Sequence, residues 1–428
     1  MANNERADFA AELARRRAEA GLSYGELATA AHTSRGYLHH VEHGRRWPSR
    51  PVVRALDAAL GADKALLGRW AMGEIGGRPA RTASAGSSSP SLQRADAELA
   101  LVSTADESAR FLGWAEVSNV GDLTVEQMHT DVRQIAHSYL KVPTLPLFAR
   151  ARAVRDQAFA LLAGRQRPGQ SRDLHAVAGW SLTLLAWIST DLGQSDAADT
   201  HARAAWLCAN NADHNGLRAW VRATQHTMAF WDHRYADAAG YAADGLNYAT
   251  AGSAEALLAS AWALDLAKAG RADEARAAFT GARTAVETTD QAGDELTGPF
   301  TCSADRAGGF WSDVHLALGT PADALVEADR AVAAFEAMPE PRRNHGSERM
   351  VRLQQVRAHL ALGQLDGAQE AITPVLNTAP EHRVRPLLQR CAEVYLQTSA
   401  YPDEPTIRGM REALTVFRHD TVVQELSP

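Results

Sequence analysis

The chain has 428 residues, 46% of them hydrophobic, with a formal net charge of −7 and three cysteines. That length is too great for one small core and implies two or three units. An acidic bulk excludes a coat-like nucleic-acid protein, because it repels phosphates. No stretch approaches the roughly 18 uninterrupted apolar residues of a membrane span. The N-terminus also lacks the charged-then-apolar pattern of a secretory signal, so a soluble, cytoplasmic protein with no membrane partner is expected. Cys208, Cys302 and Cys391 are too dispersed for a disulfide framework and are expected as buried free thiols. The charge is divided unevenly: residues 1–70 hold 11 Lys+Arg against 8 Asp+Glu, and the remainder 33 against 43. A modest positive patch on an acidic protein suits a specific binder.

Taken in chain order, Phe9, Leu13 and Ala20 give the first predicted helix its apolar face. Residues 21–49, GLSYGELATAAHTSRGYLHHVEHGRRWPS, then read as two short helices, a tight turn between them and a basic loop. Ser23 with Glu26 three residues later is a capping box, and the helix it starts buries Leu27, Ala28 and Ala31. The chain turns near His32, and Ser34 caps a second helix whose inward residues are Leu38 and Val41. Gly44 allows a left-handed exit and Pro48 bars continuation. Val52, Val53, Leu56 and Leu60 form a further helix closed by Gly61. The string from His39 to His43 also spells H-x-x-E-H, carried by some zinc peptidases. Glu42 and Gly44 fall where the two-helix pattern needs them, Val41 serves its core, and no third ligand accompanies the string. No metal site is expected there.

The run G-L-S-x-x-E-L-A…Y-L-x-x-V-E-x-G-R-R-x-P-S resembles the phage-repressor/Cro-type (XRE-like) helix-turn-helix family over roughly residues 6–67. The resemblance implies a DNA-binding module in which Arg35, Gly36 and His40, with His39 beside them, face base edges. It likewise implies phosphate contacts from Tyr24, Thr33, Ser34, Arg45 and Arg46. Arg35 stands in the first turn of a helix, where the dipole disfavours a cation. A guanine edge or a phosphate would account for it, as would a solvated surface position. Gly36 departs from the family's usual polar reader, which leaves backbone readout or none at that position.

Residues 71–98, including GEIGGRPARTASAGSSSPSL at 73–92, lack apolar periodicity and read as a flexible linker. Residues 99–170 are expected to form a helical connector or cap. Residues 171–420 carry an internal repeat. Aligned on Gly193, His233, Gly270, Gly319 and Gly363, the chain places Ala198, Ala238, Ala275, Ala324 and Ala368 five residues later. Nine later stand Ala202, Ala242, Phe279, Ala328 and Ile372; twelve later, Ala205, Gly245, Ala282, Ala331 and Val375. Small residues in one register let paired helices press together and stack as a solenoid. The expected fold is all-α: a small N-terminal helix-turn-helix domain plus a C-terminal TPR-like α-solenoid.

The repeat resembles tetratricopeptide (TPR) units, degenerate and longer than the usual length of about 34 residues. That resemblance puts the first helix of each pair on the concave face. It makes Trp180, Thr183, Trp187, Trp220, Thr227, Phe230, Arg306, Asp313 and Arg357 a candidate groove for a peptide or small molecule. Tryptophans at helical spacing serve inter-repeat packing equally well. The cluster Cys208, Asn210, Asn211, Asp213, His214, Asn215 falls at a turn, where such residues cap helices. The two-part plan is similar to HTH/TPR regulators of actinobacterial genomes and to peptide-responsive quorum-sensing regulators. It implies an operator-binding regulator with a signal-sensing body. One recognition helix buries little surface, so a homodimer is expected. Without a phosphate-cradling glycine loop, a nucleophile elbow or a ligand triad, no cofactor and no enzymatic activity are expected. The alternative is a TPR scaffold that docks proteins without reading an operator.

Overall fold

The computed structural model describes residues 2–62, 64–76, 104–105, 107–113, 115–139, 141–289 and 294–419. Every regular element among them is helical. The chain divides into two compact units between Thr104 and Ala105.

The first unit holds α1 (Ala2–Glu19), α2 (Tyr24–Ala30), α3 (Arg35–Glu42), α4 (Arg50–Ala59) and α5 (Ala65–Gly76). The capping box at the start of α2 is formed in both directions. The Glu26 amide donates to Ser23 Oγ at 3.3 Å, and the Ser23 amide donates to the Glu26 carboxylate at 2.8 Å. Ser34 caps α3 by accepting from the Tyr37 amide at 3.2 Å. Asp57 performs the same service for α5, accepting from the amides of Lys64 and Leu66 at 2.8 and 2.9 Å. Phe9, Leu13, Leu27, Leu38, Val41, Leu56 and Leu66 are buried together. Ala20 stands beyond the end of α1 and is exposed, so it does not belong to that core. Helix α5 runs into the segment expected as a linker; its remaining residues, 77–98, lie outside the described residues.

The second unit is a series of helical hairpins. The connector supplies α6 (Asp122–Ser138) and α7 (Thr144–Leu162). The repeats follow as α8 (Pro168–Asp191) with α9 (Ser195–Ala212), α10 (Asn215–Trp231) with α11 (Tyr235–Leu246), and α12 (Ser253–Lys268) with α13 (Ala272–Glu287). After them come α14 (Ala304–Ala317) with α15 (Pro321–Ala337), α16 (His345–Ala361) with α17 (Leu365–Leu376), and α18 (Arg385–Gln397) with α19 (Pro405–His419).

The five aligned turns share one backbone geometry. Gly193, Gly270, Gly319 and Gly363 take φ between +72° and +79°, and His233 follows at +59°. The next residue's amide reaches back five residues in each turn, as Gln194 to Ser189 and Arg234 to Ala229, both at 2.8 Å. That is a Schellman closure. The alanines five positions later are fully buried in all five copies. At the position twelve later the packing is so close that a Cβ on Gly245 would meet Arg222 Cβ and Leu258 Cδ1 at 2.9 Å. The extra length of the repeats lies between hairpins; residues 288–303, joining α13 to α14, account for the widest spacing.

That long connection folds inward. Phe300 and Cys302 are fully buried, and Gly298, at φ +72°, passes so close to Ala136 O that no Cβ would fit. The solenoid also curves until its last pair meets its first two. Arg385 on α18 donates to Ser195 Oγ and Asp232 Oδ1, both at 2.9 Å, and Gln389 donates to Trp231 O at 3.0 Å.

Candidate functional site

Helix α3 divides cleanly by face. Leu38, Val41 and Glu42 are buried, whereas Arg35, Gly36, His39, His40 and His43 are exposed. Glu42 turns inward to a bidentate pair with Arg17, Nε to Oε1 at 2.6 Å and Nη2 to Oε2 at 3.1 Å. It therefore stands apart from the neighbouring histidines. His39 and His43 stack at 4.1 Å between ring centroids. Partial desolvation, then the neighbouring His43 and His40, hold the His39 imidazole below its usual pKa. Arg45 and Arg46 are exposed in the loop after α3, Arg46 lying over the Tyr37 ring at 4.6 Å. Tyr24 is half-buried under the Arg17 guanidinium, 4.0 Å from its ring centroid. Thr33 is half-buried, and the Ser34 hydroxyl is committed to its cap. A Cβ on Gly36 would meet nothing within 4 Å, so packing within the head does not require glycine there.

In the repeat unit a cavity of about 260 Å³ opens along the first helices of the pairs. Its walls draw on α8, α10, α12, α14, α16 and α18, with none of the second helices of these repeat pairs; Tyr139, Val142 and Thr144 of the connector and Pro299 of the long connection also line it. Trp187, Phe230, Trp231, Leu257, Leu264 and Phe310 make it largely apolar. Of the groove residues expected from the TPR register, Trp187, Thr227, Phe230, Arg306 and Asp313 line it. Trp180, Thr183, Trp220 and Arg357 do not. Trp180 and Trp220 pack edge-on against Phe300 of the inward loop, at 5.5 and 5.2 Å between centroids, so the chain's own segment covers that part of the face. Thr183 is fully buried and spends its hydroxyl on Gly179 O at 2.7 Å.

Arg357 stands behind the wall in a charge cluster. Asp313 accepts from Arg390 at 2.6 Å and Arg357 at 2.7 Å, with Lys268 at 3.5 Å. Burial alone would push the Asp313 carboxyl up; Arg390, Lys268 and Arg357 outweigh it and hold the group well below the usual carboxylate range. Nearby, His226 and Asp265 form a buried pair at 2.7 Å. Asp191 accepts from the Tyr139 hydroxyl, and burial pushes its carboxyl up to about 7. In the 208–215 turn, His214 accepts from the Leu217 amide at 3.1 Å and faces Glu295 at 3.0 Å. Asn210, Asp213 and Asn215 all accept from Arg218.

Sequence reasoning missed several cavity residues. His226 and Trp231 flank the expected Thr227 and Phe230 on α10, and Arg349 lies two turns before Arg357 on α16, so the same register could have reached them. Asp191, at the end of α8, and Arg390, on α18, carried no such signal.

An exposed α3 on a head of five helices among the described residues, in one chain with a solenoid body, defines a helix-turn-helix protein with an α-helical repeat domain. Residues 8–70 match the family model described as "Helix-turn-helix domain", and the head is a domain of XRE type. No curated protein matches the chain. Among solved structures, the chain is similar to one titled "Crystal Structure of Rap Protein Complexed with Competence and Sporulation Factor". That similarity has 10% identity and a TM-score of 0.42, covering 70% of this chain and 99% of the other. No helix among the described residues is long and apolar enough to cross a membrane.

Proposed function

We propose that this protein is a transcriptional regulator, without enzymatic activity, that binds double-stranded operator DNA as a homodimer. Its repeat domain mediates dimerisation and receives a peptide or small-molecule effector. The observation that carries the reading is α3: its inner face is sealed by Leu38, Val41 and Glu42, and its outer face offers Arg35, Gly36, His39 and His40 in one exposed row. A helix so mounted suits the major groove, with Arg35 placed to take a guanine edge. Gly36, free of any packing demand, lets the backbone come close to the duplex. Arg45 and Arg46 follow as phosphate ligands, with Tyr24, Thr33 and Ser34 at the border of the same face. One such helix buries little surface, which is the reason for a pair.

Gel shifts of the full chain against genomic fragments, at low salt and at about 200 mM, test the reading. Arg35→Ala is expected to lose operator selectivity, and unchanged sequence preference would sink the recognition-helix assignment. Arg45→Ala is expected to weaken all sequences alike and to reduce the salt slope by about one. No shift at either salt concentration would instead leave a scaffold whose head docks proteins.

A further inference from the structure

Two cations line the cavity without a carboxylate in ion-pair contact. Arg306 donates from Nη1 to the backbone carbonyls of Pro299, at 2.8 Å, and Thr301. Arg349 makes no ion pair or side-chain hydrogen bond among the described residues. Asp305 beside Arg306 and Glu348 beside Arg349 act on them through space without an ion pair, and the other acids nearby are engaged elsewhere. Asp313 is shared by Arg390, Arg357 and Lys268. Asp191 accepts from Tyr139, Asp265 pairs with His226, and Glu348 is turned to Arg352 at 3.0 Å. Burial holds both Arg306 and Arg349 below the ordinary arginine pKa. Buried charges in folded proteins are ordinarily paired, because leaving water uncompensated is costly. An apolar cavity with two guanidinium groups on its wall that no carboxylate pairs directly is complementary to an apolar anion.

We propose that this cavity takes a small amphipathic carboxylic acid, its carboxylate held by Arg306 and Arg349 and its apolar body against Trp187, Phe230, Trp231 and Phe310. This deepens the effector-binding part of the reading above and rests on it. The partly open space of about 260 Å³ lies just under the range that begins at about 300 Å³ for small-molecule sites. It therefore suits a slender chain. Guanidinium groups favour planar oxyanions because two parallel N–H bonds can be made at once. An acyl chain and a short apolar peptide present the same chemistry, a hydrophobic tail ending in a carboxylate. The site adjoins the contact between the two ends of the solenoid: Trp231 lines it and precedes Asp232, and Pro386 lines it and follows Arg385. A ligand there would touch the first and last repeats together.

The test uses the full chain, with calorimetry and the fluorescence of Trp187 and Trp231 as readouts. One arm titrates decanoate against its methyl ester; the other titrates a tetra-leucine peptide with a free C-terminus against its amide. At least one acid is expected to bind saturably, and its neutral counterpart at least about tenfold more weakly. Arg349→Met is expected to weaken the acid by a similar factor and leave the neutral form unchanged. Arg306 also holds the inward loop, so Arg349→Met, checked for an unaltered melting curve, carries the test. Equal binding of acid and neutral forms overturns the proposal, as does undiminished acid binding by Arg349→Met, or no saturable binding of either acid. Gel shifts on the same preparations separate the two readings. A chain that shifts DNA but ignores both acids disproves the site alone; one that binds an acid but no DNA disproves the regulator.

Discussion

Glu42 shows how one residue is used at two levels. Its position in the motif was legible, since the two-helix pattern expects it after the inward valine. Its partner was not. Arg17 lies 25 residues away on another helix, and only packing brings the guanidinium onto the carboxylate. Removing one member of a buried pair strands the other, at a cost of about 3–5 kcal/mol. Arg17→Ala is therefore expected to lower the unfolding temperature of the head selectively, seen by calorimetry of the full chain as one shifted transition. Asp191 gives the opposite case. Its carboxyl is raised to about 7 by burial, so the folded chain binds its proton more tightly than the unfolded chain does. Its contribution is fully present below the unfolded carboxylate pKa, about 4, and is lost as pH rises to about 7, at no more than about 1.4 kcal/mol per unit. Asp191→Asn should flatten stability against pH across that window in denaturant melts. An unchanged slope would contradict the assignment.

Among elements, the inter-helix turns carried the clearest signal. Glycine recurred where a left-handed residue closes a helix, and the buried alanines followed at fixed distances because helices in contact tolerate little side chain. The exception makes the physics testable. His233 holds φ +59°, a region that costs a residue with a Cβ roughly 1 kcal/mol. His233→Gly is expected to be neutral to stabilising by up to about that amount, whereas Gly270→Ala, at φ +79°, should destabilise by about 1–2 kcal/mol. Chemical denaturation of the two variants beside the parent checks both signs. The inward course of residues 294–303 escaped sequence reasoning, since a connection without helical period says nothing about where it packs. Phe300 sits among Trp180, Trp187 and Trp220 at 5.2 to 6.1 Å between centroids, and that decided which tryptophans stay open to a cavity.

For the repeat unit as a whole, closure is the feature that counting repeats could not reach. The contact between Arg385 and the Asp232 turn joins residues 153 apart in sequence. The variant Arg385→Ala/Gln389→Ala removes the side chains that tie the last repeat to the first two. It is expected to loosen the curvature, measured as a larger radius of gyration in solution scattering and as faster amide exchange around residues 231–234. Dimensions identical to the parent's would show that the contact follows curvature set by the inter-repeat packing.

By itself the sequence determined the helix-turn-helix head and the repeat register; which helices face inward came from the resemblance to TPR units. Those features follow from caps, periodicity and glycine stereochemistry, all of which act over a few residues. The tertiary structure alone decided that Glu42 is clamped by Arg17, that Phe300 covers Trp180 and Trp220 of the expected groove, and that Arg306 and Arg349 reach a cavity without a carboxylate in ion-pair contact. Each of these depends on which distant side chains share a desolvated space, and such meetings are settled by packing across the chain rather than by any local pattern.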